Sequence, residues 1–464
     1  MEDTIMLGKI AYEAIEKVRP DLDKIRLDMW NNPEIAYREY KACDWIAKYM
    51  EEQGFKVEVG AGGVPTAVKA VWGHGHPIIG LLGELDALPG MSQKVCATKD
   101  PVEAGAPGQA CGHNLLAVAH MGGAIGIKAE LEASGKEGTV IYYGCPAEEV
   151  LTGKGFMARG GAFDELDMCI AFHPSAMNST SLSVSNGLNS AVFNFKGVTA
   201  HAGGDPYNGR SALDAVELMN VGANYLREHV KTDVRIHYVI TNGGMAPNIV
   251  PDRASVWYYV RAPKRELVNE VYDRLVKVAK GAAMMTETEV EIDFKGGCYE
   301  TMNNKRLVNV MYDCLHEIPY DEWTAEEIAF AKSLNEASEP NWTQRIEMTG
   351  LTRNDHLFTG VAPIRGGSGG GSTDVGDVQH ICPGVFFNTA CYALGVPGHS
   401  WQITASTGSS IGEKGMTHAA RAMALCALKV IEDPQILKEA KEEFDAAMGG
   451  KKYICPIPAE IPVP

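Results

Sequence analysis

The run His76–Leu88, HPIIGLLGELDAL, is near-continuously apolar, with aliphatic side chains at Ile78, Ile79, Leu81 and Leu82, and then carries two carboxylates, Glu84 and Asp86. A strand with one wet face alternates apolar and polar residues, whereas a continuous apolar run is covered on both faces, as in a parallel sheet. Upstream, FKVEVG reads as a short strand, and Leu22 to Gln53 as helical with a break at NNPE. Downstream come the segment CGHN heading an apolar helix to about Ser134, the strand GTVIYYGC ending in PAEE, and the strand DMCIAFHP. Strands separated by helices in this rhythm predict a mostly parallel α/β sheet.

The rhythm changes at Ser183. SAVFNFKG, a helix from GRSALDAVELMNVGANYLREHV, the strands VRIHYVITNGG and RASVWYYVRAP, a helix from RELVNEVYDRLVKVAKGAAMM, and the strand TEVEIDFKGG spell β-α-β-β-α-β. That is the ferredoxin-like pattern, and it predicts an inserted domain over 183–300 within a catalytic domain made of 1–182 and 301–464. The returning part carries an acidic stretch at AEEIAFAKSLNEASEPNW that reads as irregular, the glycine-rich RGGSGGGSTDVGDVQH, the strand PGVFFNTACYAL, the loop GVPGHSW and a closing helix. The proline-rich end, KKYICPIPAEIPVP, reads as extended along the surface.

A chain of 464 residues exceeds what one core usually serves. Its 42 Lys and Arg against 59 Asp and Glu give a net charge of −17, which repels phosphate backbones and anionic lipid, so neither nucleic acid nor membrane is expected as a partner. Eleven cysteines without a regular framework suit reduced thiols, and the acidic amphipathic start MEDTIMLGKIAYEAIEKV lacks the basic and apolar regions of a secretory signal. A cytoplasmic protein is expected.

Glu84 and Asp86, Cys111 and His113 in CGHN, Glu148 and Glu149 in PAEE, His173 in FHP and His399 in PGHSW all fall at or beyond predicted strand ends. Open α/β sheets place ligands there. Singly, each has an ordinary reading: a buried cysteine as a small hydrophobe, a histidine as a loop residue, an acidic pair as solvated. Together, thiolate, imidazole and carboxylate suit zinc or a similar divalent metal. On extended backbone the two glutamates of PAEE point opposite ways, so one can bind metal while the other faces the water. Glu149 is assigned as ligand and Glu148 as base, although spacing alone does not decide between them.

The order GELDALPG, CGHN, PAEE, FHP, GVTAHAG, NIVP with a following Arg, STDVGDV and GHS resembles the di-metal amidohydrolase and carboxypeptidase family, which includes aminoacylases, carboxypeptidase G and the hippurate and indole-acetyl-amino-acid hydrolases. Through CGHNLL, PAEE and the CPIP tail it looks most like the branch acting on p-aminobenzoyl-glutamate. The resemblance implies that Cys111, His113, Glu149, His173 and His399 ligate two divalent ions, zinc or manganese, with Glu148 as catalytic base. It implies that His201 reaches the partner protomer's site to stabilise the oxyanion, and that Asn248 and Arg261 hold the substrate carboxylate. An arginine ending an apolar strand is also a carboxylate fork on physical grounds. Two departures stand out: Glu84 occupies the position of a ligand histidine, and Leu116 that of a second histidine after CGHD. Ser372, Thr373 and Asp374 are expected to position substrate or support a ligand, while His74 and His76 read as loop residues.

The expected activity is metal-dependent hydrolysis of the amide of an N-acyl amino acid, best p-aminobenzoyl-glutamate or a similar aromatic acyl-glutamate or acyl-aspartate. Dipeptides and hippurate-like or indole-acetyl substrates are the alternatives. A hydrolase using Cys111 as nucleophile, or a metal-stabilised binding or partner subunit without turnover, are the rivals from other classes. Edge pairing of the inserted domains predicts a homodimer, with a related second subunit as a further possible partner.

Overall fold

In the computed structural model, which describes residues 7–464, the quoted run forms β3 (Ile78–Glu84) inside an eight-stranded sheet. The other strands of that sheet are β1 (Lys56–Val59), β2 (Val68–His74), β4 (Gly138–Cys145), β5 (Met168–Ser175), β6 (Ser179–Val184), β11 (Arg365–Ser368) and β12 (Gly384–Ala390). Their order is β1-β2-β4-β3-β5-β12-β6-β11. The central run β4-β3-β5-β12 is parallel throughout. Antiparallel pairings occur between β1 and β2, β2 and β4, and β12 and β6.

The double coverage predicted for β3 is present. Ile79 and Leu81 join the large apolar core formed with the helices Lys9–Asn31, His113–Ser134 and Ser410–Glu432. Leu82 faces a second core with Ile141, Tyr143, Phe156 and Ile457. Because β3 is buried on both sides, its polar groups can open only at its C-terminal end, where Glu84 stands.

The remaining strands, β7 (Gly187–Lys196), β8 (Arg235–Asn242), β9 (Arg253–Ala262) and β10 (Glu289–Cys298), make a separate antiparallel sheet in the order β10-β7-β9-β8. With the helices Ala212–Leu226 and Arg265–Thr286 it encloses its own core, the ferredoxin-like arrangement read from the sequence. Among the described residues no helix is long and apolar enough to cross a membrane.

Several local readings change. The stretch at 325–342 is not irregular: the helix Ala325–Glu336 starts on a capping box in which Thr324 and Glu327 exchange hydrogen bonds, and Asn341–Thr349 follows as another helix. The T-x-x-E spacing carries that signal in the sequence. His74 ends β2 rather than lying in a loop. The C-terminal stretch is anchored as well as extended, since Ile457 is buried and Arg159 Nη1 donates to the carbonyls of Pro458 and Ile461 at 3.1 and 2.9 Å.

Candidate metal centre and substrate pocket

Parallel pairing brings the chemistry to one edge. β3 and β4 run in register with Glu84 beside Cys145, so the chain leaving β4 passes directly over Glu84 into the PAEE segment. His173 lies within β5 rather than beyond it, two residues before its end. Cys111 and His113 sit at the head of the helix His113–Ser134 and not at a strand end, with Gly112 at φ 86° turning the chain into the helix. His399 follows β12 in a loop at φ 50°.

The PAEE pair is also not extended. Glu148 and Glu149 occupy a turn closed by the Leu151 amide donating to the Glu148 carbonyl at 2.7 Å. Ala147 (φ 58°) and Leu151 (φ 58°) are left-handed on either side, a conformation that costs non-glycine residues energy. The loop folds back so tightly that a Cβ on Gly153 would stand 1.6 Å from the Pro146 carbonyl oxygen. Two carboxylates hold the turn. Asp86 accepts the amides of Glu148 and Glu149 at 3.1 and 2.9 Å, and Glu39 accepts the amide of Ala147 at 2.8 Å. The two glutamates therefore take separate directions through a pinned turn, not through strand pleating.

Ligand atoms of Cys111, His113 and His173 lie within 4.8 Å of one another, as do those of Cys111, Glu149 and His399, and those of Glu84, His113 and Glu148. Cys111 Sγ is 3.2 Å from His173 Nε2, and His399 Nε2 is 3.8 Å from Glu149 Oε2. His113 Nδ1 meets the Asp86 carbonyl at 2.8 Å, which leaves Nε2 to face Glu84 Oε2 at 3.2 Å and Glu148 Oε2 at 3.8 Å. His113 Nε2, Glu84 Oε2 and Glu149 Oε1 are all buried without a hydrogen-bond partner. Orphaned polar atoms cost about 1–3 kcal/mol each, more when charged; with Glu84 Oε2 and Glu149 Oε1 at 3.2 and 3.9 Å from His113 Nε2, they fit cations held between them. The donor set of thiolate, imidazole and carboxylate fits zinc or manganese.

Burial, followed by the nearby Glu84 and Asp374 carboxylates, pushes Glu148 well above the usual carboxylate range. Burial would raise Glu84 too, but Lys154, His113 and His173 hold it below that range. Burial likewise pushes the Cys111 thiol up. Lys154 is a member of this centre that sequence reading missed: wholly buried, its ammonium lies 2.7 Å from Glu84 and 2.6 Å from Asp374. Flanked by glycines in TGKGF, it gives no sequence signal of such a place.

A cavity of about 630 Å³ opens over the centre, lined by Cys111, Glu148, Glu149, His173 and His399 and reaching Arg261 and Tyr259 on β9. Arg261 Nη1 meets Ser372 Oγ at 3.2 Å, its Nε is buried without a partner, and its guanidinium lies 5.3 Å from the Tyr259 ring centre. Ser372 and Thr373 line the same cavity, while Asp374 turns beneath it to Lys154. His201 and Asn248 come together on neighbouring loops, through the bridge of His201 with Ile249 and the Ala202 amide on the Asn248 carbonyl at 3.0 Å. Both are exposed, and neither lines the cavity of its own chain. His201 Nδ1 accepts the amides of Gly203 and Gly204 at 3.2 and 2.9 Å. His76 pairs with Asp167 at 2.6 Å, away from the centre.

Residues 185–284 match the family model described as a peptidase dimerisation domain. Over 97% of its length and 97% of the relative's, the chain is 40% identical to a p-aminobenzoyl-glutamate hydrolase subunit of Escherichia coli (strain K12). It is 28% identical to the Xaa-Arg dipeptidase of Mus musculus over 95% of this chain and 92% of that one. Among solved structures, a dinuclear metal-binding peptidase of the M20 family from Bacillus subtilis superposes with a TM-score of 0.57, covering 90% of this chain and 99% of the other at 17% identity, a likeness of fold.

Proposed function

Because the chain belongs to the M20 family of metal-dependent amidohydrolases and peptidases, we propose that it hydrolyses the amide of an aromatic acyl-glutamate, with p-aminobenzoyl-glutamate as the first substrate. The observation that carries this reading is the pair of orphaned carboxylate oxygens, Glu84 Oε2 and Glu149 Oε1, flanking the orphaned His113 Nε2 beneath a cavity whose far wall holds an arginine with a buried, unpaired Nε. The name of the Escherichia coli relative supports the substrate, and Tyr259, Phe386 and Tyr392 supply an aromatic lining beside the hydroxyls of Ser372 and Thr373.

In this reading Cys111, His113, Glu149, His173 and His399 hold two divalent ions, zinc or manganese, with Cys111 common to two of the ligand groups. Such ions supply an acidified water and electrophilic assistance to the amide carbonyl. Glu148 takes the proton of the attacking water and returns it to the leaving amine. Arg261 grips the substrate carboxylate through paired N–H groups. His201 and Asn248, exposed and outside their own cavity, serve the site of a second copy in a homodimer formed through the inserted unit. There His201 Nε2 donates to the developing oxyanion. Residues 1–182 and 301–464 form the catalytic part and 183–300 the inserted part. The protein works in the cytoplasm, and a related second subunit joins the homodimer where full activity requires one, as the Escherichia coli relative's description as one subunit of a hydrolase suggests.

The test is release of p-aminobenzoate from p-aminobenzoyl-glutamate by manganese- and zinc-loaded protein, beside hippurate, indole-acetyl-aspartate and an Xaa-Arg dipeptide. Preference for p-aminobenzoyl-glutamate is expected. Faster turnover of the dipeptide would move the substrate class to the reading supported by the Mus musculus relative.

A further inference from the structure

Lys154 is the only buried lysine among the described residues, and nothing in the hydrolytic cycle above uses it. An ammonium and two carboxylates taken out of water add little stability over well-packed apolar side chains, so such a cluster calls for a purpose beyond holding the fold. Its bonding is divided in an instructive way. Asp374 grips Lys154 twice, Oδ2 accepting the backbone amide at 2.8 Å and Oδ1 the ammonium at 2.6 Å. The ammonium then donates to Glu84 Oε1 at 2.7 Å. Glu84 Oε2, by contrast, is buried, has no hydrogen-bond partner, and faces His113 Nε2 at 3.2 Å within the group Glu84, His113 and Glu148. One oxygen is tethered and the other is presented.

We infer that Lys154, clamped by Asp374, is the positioning residue that fixes Glu84 so that its free Oε2 serves as an additional anionic ligand in one of the two metal subsites. This rests on the metal-centre reading of the preceding subsection. The arrangement explains how a carboxylate can stand where related chains are expected to carry a ligand histidine. A glutamate has more freedom than an imidazole, and Lys154 removes it. It also couples the two sides of the cavity, because Asp374 follows Ser372, which touches Arg261 on the substrate side. Outer partners that orient ligands commonly set metal affinity within about ten- to a hundredfold.

The experiment is calorimetric titration of metal-free full-length protein with Mn2+. Wild type is expected to bind in two events. Lys154→Met should weaken one event by about thirtyfold and leave the other within about threefold. Glu84→Gln should weaken the same event, and the double variant should be no weaker than Glu84→Gln alone, since both changes remove one interaction. A Lys154→Met protein that keeps both affinities while melting at a lower temperature would overturn the inference, as would effects that simply multiply. If Lys154→Met does not fold, Asp374→Asn is titrated instead, with about a tenfold loss in the same event expected and an unchanged affinity overturning the claim. Wild type that takes up no manganese would instead overturn the metal-centre reading itself, a result distinct from a loaded wild type beside an unresponsive variant.

Discussion

The strand-edge centre and the His201 loop are built on opposite principles. At the centre, Glu84, Asp86, Cys111, His113 and Glu148 are buried, and Asp86, Glu39 and Lys154 hold the 147–149 turn and Glu84 from behind. His201 and Asn248 stand in solvent on loops joined by a single backbone bridge. The first region is complete within one chain, because its orphaned atoms face one another. The second has an imidazole Nε2 with no hydrogen-bond partner among the described residues. A site that closes on itself can be tested in one chain; one that does not has to be tested between chains.

Removing the proposed base should have the largest effect. Glu148→Ala is expected to lower kcat by about a thousandfold while manganese content stays that of wild type, read from turnover and metal analysis on the same sample. Normal turnover by metal-loaded Glu148→Ala would strip that residue of its role. His201→Ala should lower kcat by about a hundredfold, and the comparison sharpens when the two variants are mixed and allowed to exchange protomers. If His201 acts across copies, mixed dimers regain one intact site each, and activity rises to about a quarter of wild type under random pairing. No recovery on mixing would confine His201 to its own chain.

Arg261→Ala removes the charged hydrogen bonds proposed for the substrate carboxylate, worth about 1.5–3 kcal/mol. KM should rise roughly ten- to a hundredfold with kcat changed less, as steady-state kinetics would reveal. A fall in kcat at unchanged KM would argue against ground-state carboxylate binding.

The residue types gathered at the candidate centre were legible in the sequence because each motif carries reactive side chains in a short, recognisable string. The parallel sheet was legible in the near-continuous apolar run of β3, and the inserted unit in its alternation of elements. What stayed hidden was whatever depends on how segments meet. The turn of PAEE depends on Asp86 and Glu39, which lie far from it in sequence. Lys154 is set by Asp374, 220 residues away. The strands β2 and β6, each one in from an edge of the sheet, lack the apolar run that marks β3, and a cysteine and histidine at a helix head resemble the strand-end motifs until the crossover is traced.

The smallest effect concerns the support beneath the centre. Asp377 is buried and its carboxyl is pushed up to about 7 by burial, against the hydrogen bond donated by Tyr453 at 2.8 Å. A carboxyl with a raised folded pKa holds its proton more tightly when folded, so its contribution to stability falls as pH rises from about 4 through about 7. Asp377→Asn should therefore look worst against wild type near pH 4 and gain ground steadily up to about pH 7, measured as the difference in Tm. A difference independent of pH would mean that Asp377 is not protonated in the folded protein at low pH.

The most direct test of the account joins metal content to turnover: hydrolysis of p-aminobenzoyl-glutamate and bound metal measured on the same protein as purified, after complete chelation, and after return of zinc or manganese. The centre as described predicts about two ions per chain and activity that is lost and restored with them. Turnover that survives full chelation but is abolished by alkylating thiols would contradict it and make Cys111, 3.2 Å from His173, a nucleophile rather than a ligand.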